Sequence, residues 1–90
     1  MHILVIYDVS NSKKRRDVVK VLNGYGTRVQ KSAFECIVTN AMSATLEKKL
    51  TGIIDKSDSV RIYHLSSGAV IRNLGVKIDA IYGDESYLVI

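Results

Sequence analysis

The chain has 90 residues, 47% of them hydrophobic, and 13 Lys and Arg against 9 Asp and Glu give it a net charge of +4. This length makes one small domain that buries only about 60 to 65% of its unfolded surface, and the composition excludes a disordered chain while fitting, without requiring, a polyanion partner. The lone Cys36 and two distant histidines exclude an intramolecular disulfide and give no zinc spacing, and no stretch resembles a secretory signal or a membrane span, so a reducing, cytoplasmic setting is expected.

In chain order, the apolar run His2 to Tyr7 is too short for a span and too rich in Ile and Val for a favoured helix. It reads as a strand buried on both faces. Asp8 sits at its carboxyl end, where a rigid sheet holds wet polar groups in place, although Asp, Ser and Asn there equally suit a turn or a helix cap. Val18, Val21, Leu22 and Tyr25 then align at helical spacing and predict a helix over 12–24. Ser10, Asn11 or Ser12 can cap its start, and Gly24 or Gly26 can end it at positive φ. Thr27 to Thr39 is long enough for two short strands with a bend near Lys31 and Ser32, and Cys36 reads as a small buried or half-buried strand residue. Leu46, Leu50, Ile53 and Ile54 predict a second helix over 43–55, and Val60 to Leu65 alternates like a fourth strand.

Strand, helix, strand, strand, helix, strand is the order of an α+β ferredoxin-like fold, βαββαβ, with an antiparallel sheet and both helices on one face. Residues 66–90 form a C-terminal extension of the same domain. Its apolar end, Tyr87-Leu88-Val89-Ile90, is expected to add a further strand to a sheet, with the partner copy as one host, because an exposed apolar edge invites aggregation.

Tyr7-Asp8-Val9-Ser10 after the first strand, the Arg-containing first helix, the run Tyr25-Gly26-Thr27-Arg28-Val29-Gln30-Lys31-Ser32-Ala33-Phe34-Glu35-Cys36, and Asp58-Ser59-Val60-Arg61-Ile62-Tyr63 together resemble the CRISPR-associated protein two family, over residues 1 to 65. The resemblance implies a ferredoxin-like homodimer that binds DNA during spacer acquisition and associates with the CRISPR adaptation integrase. It also implies a magnesium-dependent endonuclease activity on DNA or single-stranded RNA. On this resemblance Asp8 is the metal-binding and catalytic residue, one from each protomer facing the other, with Mg2+ as cofactor and Mn2+ as a substitute accepting the same oxygen ligands. Arg15 and Arg28 match positions near the family's cleft, with Arg16 beside them, and guanidinium groups suit phosphate recognition without base specificity. Phe34 matches a family aromatic beside the cleft, although a lone Phe in a strand reads as core, and Tyr7 reads as packing with its hydroxyl near the site, so that both are candidate cleft residues. Lys13 and Lys14 read as a solvated helix face, Gln30 and Ser32 as either cleft or hairpin residues, and His2 and His64 as structural. Two function classes stay open: the metal-dependent endonuclease, and a non-catalytic scaffold that bridges integrase subunits and holds DNA. The RNP signature of an RNA-recognition motif is missing, and a small-molecule regulatory domain fits the topology but not the Asp8 and Arg segments.

Overall fold

The computed structural model describes residues 1–75. Its elements are β1 (His2–Asp8), α1 (Ser12–Asn23), β2 (Gly26–Gln30), β3 (Ala33–Ile37), α2 (Asn40–Ile53) and β4 (Ser59–Leu65). The sheet order is β2-β3-β1-β4, with every neighbouring pair antiparallel. Each helix joins two strands that are separated by a third, which is the interleaved ferredoxin-like arrangement expected from the sequence. Among the described residues no helix is long and apolar enough to cross a membrane.

Local chemistry sets the helix ends. Asn11 caps α1, its side chain accepting from the Lys14 N–H at 2.9 Å. Gly24 ends the helix at φ −79°, not in the left-handed region expected for it, and the Gly24 and Tyr25 N–H groups close the last turn on Val21 and Leu22 carbonyls. Gly26 serves a different need: it already lies in β2, where a Cβ would sit 2.1 Å from the Glu35 carbonyl oxygen and 2.6 Å from Cys36 Sγ. α2 begins at Asn40, ahead of the expected Ser43, because Thr39 Oγ1 accepts from the Met42 N–H at 3.1 Å and nucleates the turn earlier.

One core holds these elements together. Ile3, Val5 and Tyr7 from β1 and Phe34 and Cys36 from β3 meet Val18 and Leu22 of α1 and Leu46 and Leu50 of α2, all buried. Both helices therefore cover the same sheet face, since side chains of a strand alternate between faces.

The other face differs from the expectation that β1 is buried on both sides. His2, Leu4, Ile6 and Asp8 point to it, in register with Ile37, Glu35 and Ala33 on β3 and with Leu65, Tyr63, Arg61 and Ser59 on β4. Ile37 is 77%, Tyr63 41% and Ile6 39% exposed. Both crossover helices lie on the opposite side, so no described element of the chain covers this one. Residues 66–75 carry no helix or strand, and Val70 and Leu74 are exposed. The strand expected over 86–90 lies outside the described residues.

Candidate nucleic-acid interface

Asp8 is the last residue of β1 and pairs in register with Ser59 at the start of β4. Its neighbour Val9 is buried and anchors the strand end in the core, whereas Asp8 and Ser10 are exposed. A cleft of about 960 Å³ opens there, lined by Asp8 and Tyr7 from β1, Arg15, Arg16 and Lys20 from α1, Arg28 from β2, and Lys31 and Ser32 from the hairpin turn. Asp8 is the lone carboxylate among these lining residues, which makes the cleft strongly cationic. Four of the residues expected from the sequence, Asp8, Arg15, Arg16 and Arg28, are thus brought to one surface, with Tyr7 at its base.

The two arginines Arg15 and Arg28 are anchored by backbone carbonyls. Arg15 Nη1 donates to the Val9 carbonyl at 3.1 Å and to the Ser10 carbonyl at 3.3 Å, while Nη2 donates to Ser12 Oγ at 3.5 Å. The guanidinium therefore clasps the loop that leaves Asp8. Arg28 Nε donates to the Lys31 carbonyl at 3.2 Å, and its Nη2 donates to the same oxygen and to the Tyr7 hydroxyl. Tyr7 in turn donates to the Lys31 carbonyl at 3.0 Å. Burial raises the Tyr7 hydroxyl above its ordinary pKa, against the opposing pull of the Arg28 charge, so at neutral pH it is a fixed neutral donor.

Phe34 is 0% exposed and does not line the cleft. Its ring lies beneath, 6.4 Å from Tyr7, with the Arg28 guanidinium 5.9 Å from its centroid. A ring so enclosed cannot stack on a base; it supports the arginine instead. Gln30 is absent from the cleft lining, whereas Ser32 is present. Lys13 pairs with Asp17 at 3.2 Å and Lys14 with Asp55 at 2.5 Å, and neither lysine lines the cleft. The Lys14 ammonium and the Ser57 hydroxyl and amide hold the Asp55 carboxyl well below the usual carboxylate range. His2 faces Glu35 at 3.4 Å on the free sheet face, and His64 Nδ1 lies 2.9 Å from Met1 Sδ, so neither joins the cleft.

Sequence reasoning passed over Lys20 and Lys31 as individual cleft residues. Lys20 could have been found from its position four residues after Arg16 on one helix face, but Lys31 is placed by the hairpin alone. Among the described residues no group of three or more His, Cys, Asp or Glu could hold a metal ion. Within one chain Asp8 is a single oxygen donor group, too few for a magnesium site of its own.

The family described as CRISPR associated protein Cas2 matches residues 1–71. A Moorella thermoacetica protein named CRISPR-associated endoribonuclease Cas2 1 is 44% identical over 86 residues, covering 87% of this chain and 90% of its own. Mycobacterium tuberculosis CRISPR-associated endoribonuclease Cas2 is 37% identical over 83% of this chain, which spans 66% of that relative's length. The crystal structure of Streptococcus pyogenes Cas2 aligns with a TM-score of 0.70 at 43% identity, covering 76% of this chain and 89% of that one. A chain of a partial Cas6-RT-Cas1–Cas2 complex aligns with a TM-score of 0.64 at 33% identity, covering 73% of this chain and 79% of its own. Family model, sequence identity and fold agree, and the chain belongs to the CRISPR-associated Cas2 family.

Proposed function

We propose that this protein acts in CRISPR adaptation as a homodimer that binds nucleic acid in the cationic cleft and cleaves RNA or DNA phosphodiesters with Asp8 and a divalent metal. The observation that carries this reading is the position of Asp8: it opens onto the cationic cleft and, by register, lies on the same free sheet face as Leu4, Ile6, Tyr63 and Leu65. A second copy covering that apolar face would remove it from water and bring a second Asp8 close to the first. Two carboxylates with water in the remaining positions suit Mg2+, or Mn2+ in its place, whereas one does not. When bound, such an ion supplies neutralisation of phosphate charge and a more acidic water. Arg15, Arg16 and Arg28 give the cleft wall its positive charge, Arg15 also holds the Asp8 loop, and the Tyr7 hydroxyl braces Arg28. The curated relatives' names support the nuclease part, and the Cas1–Cas2 complex chain supports association with the adaptation integrase.

A second reading is a scaffold that bridges integrase subunits and holds DNA without cutting it. It is favoured by the lack, among the cleft-lining residues, of any carboxylate or imidazole besides Asp8 to serve as a general base. Asp8→Asn separates the two readings. Nuclease assays with Mg2+, with Mn2+ and with chelator should show wild-type activity only with metal, and a loss of at least about 100-fold in Asp8→Asn, the scale of losing a principal catalytic group. Retained cleavage by Asp8→Asn, with DNA binding intact, would hand first place to the scaffold.

A further inference from the structure

The cations around the cleft fall into two sets. Arg15 and Arg28 have much of their donor capacity committed to backbone carbonyls, and Lys13 and Lys14 are neutralised by Asp17 and Asp55. Arg16, Lys20 and Lys31 line the same cleft, and their side-chain cations make no hydrogen bond or ion pair among the described residues, although the Lys31 carbonyl anchors Tyr7 and Arg28. Arg16 and Lys20 stand four residues apart on α1, and Asn23 continues their stripe at seven, on the side away from the core residues Val18 and Leu22. Lys31 lines the cleft from the hairpin turn, separated in sequence from this stripe.

Like charges at this helical spacing repel each other, and no acidic residue in the first turn of α1 offsets them. An anion in the cleft reverses that penalty. Arg16 and Lys20 are about 6 Å apart along the helix axis, so they define a direction and not a single point. The cleft volume of about 960 Å³ is at the upper end of the range of about 300–1,000 Å³ for sites that enclose a small molecule.

We propose that Arg16, Lys20 and Lys31 form a second phosphate subsite that grips the nucleic-acid backbone where it runs away from Asp8 along α1. The ligand is a phosphodiester next to the one held at Asp8, bound by charge and without base specificity. This inference rests on the nucleic-acid reading of the cleft and assigns the direct grip to two lysines and one arginine, leaving Arg15 and Arg28 chiefly as braces of the loop and hairpin.

The test uses the full chain and a fluorescently labelled single-stranded DNA oligonucleotide, with affinity measured by anisotropy across salt concentrations. Each lost phosphate contact lowers the slope of log K against log salt by roughly 0.7 for single strands. Lys20→Gln/Lys31→Gln should lower the slope by roughly 1 to 1.5, Lys20→Arg/Lys31→Arg should restore it, and the charge-matched Lys48→Gln/Lys56→Gln on the α2 side should leave it unchanged. An unaltered slope in Lys20→Gln/Lys31→Gln, or an equal drop in the Lys48 and Lys56 variant, overturns the subsite while the binding reading stands. Absence of salt-dependent binding by the wild type overturns both.

Discussion

The two faces of the sheet come from the same strands and differ in what covers them. On β1, Ile3 and Val5 are 0% exposed beneath the helices, whereas Ile6, equally apolar, is 39% exposed on the other side. The hydrophobicity of a strand reports the burial it needs in its working assembly; chain topology decides which half of that burial is internal. The uncovered half is also where register places Asp8. On the proposed reading association and chemistry share one surface, and a protein of this size would gain from a partner the apolar burial that its own core lacks.

The largest contrast should appear on truncating one apolar residue from each face. Phe34→Ala should cost about 3–5 kcal/mol in denaturant unfolding, a large fraction of the roughly 5–15 kcal/mol available to a domain. Ile37→Ser, at a side chain 77% exposed, should leave the unfolding free energy of the dilute chain within about 0.5 kcal/mol of wild type. Comparable costs at the two positions would mean that the free face is packed within the single chain after all.

Placing a charge on the free face sharpens the same contrast at the level of association. If the free face is the proposed dimer interface, Ile6→Arg should weaken that dimer by about 100-fold or more, equivalent to about 2.7 kcal/mol, because the interface would bury an unpaired guanidinium. Sedimentation equilibrium reads this directly, with far-UV circular dichroism unchanged. A dimer of wild-type strength would move the interface to another surface.

Smaller effects belong to the caps that seat the helices on their one face. Asn11→Ala and Thr39→Ala each remove the acceptor of a first-turn N–H group, and each should cost about 1 kcal/mol in thermal or denaturant unfolding. Asn11→Ala should additionally loosen the loop after Asp8.

The smallest effect at neutral pH, where it vanishes, is a pH dependence on the covered face that emerges only in alkali. Burial, with a lesser push from the Glu35 charge, raises the Cys36 thiol to about 11. An unfolded-chain thiol ionises near pH 8.5, so stability should be at its full value below about pH 8.5 and fall as pH rises toward 11. Cys36→Ala should flatten that decline without abolishing it, because the Tyr7 hydroxyl is raised by burial as well. The same burial should make Cys36 slow to react with thiol reagents at neutral pH until denaturant is added.

Much of this architecture was legible in the residue order. The periods of Val18, Leu22 and Tyr25 and of Leu46 and Leu50 located both helices, and the alternation of Val60 to Leu65 located β4 within one residue of its start. Boundaries were less legible where a single hydroxyl decides them, as Thr39 does for α2. Gly24 and Gly26 illustrate a different limit. A glycine after a helix suggests positive φ, but the need at Gly26 is room for β3 to approach, which depends on a strand seven to eleven residues onward. At the site, family resemblance singled out Asp8, Arg15, Arg16 and Arg28, yet carried no information on which cations are already spoken for.

By itself the sequence determined the element order and the amphipathic pattern, and hence the ferredoxin-like topology, because helical and strand periods are local properties of side-chain spacing. It also determined that a carboxylate would end the first strand beside a basic helix start. Tertiary structure decided the rest. Only strand register assigns Asp8 and Ile6 to the uncovered face, only the hairpin carries Lys31 and Ser32 to the cleft that Asp8 shares, and only packing turns Phe34 into the floor beneath Arg28. These are contacts between residues distant in the chain, set by how one element lies on another, and no local pattern encodes them.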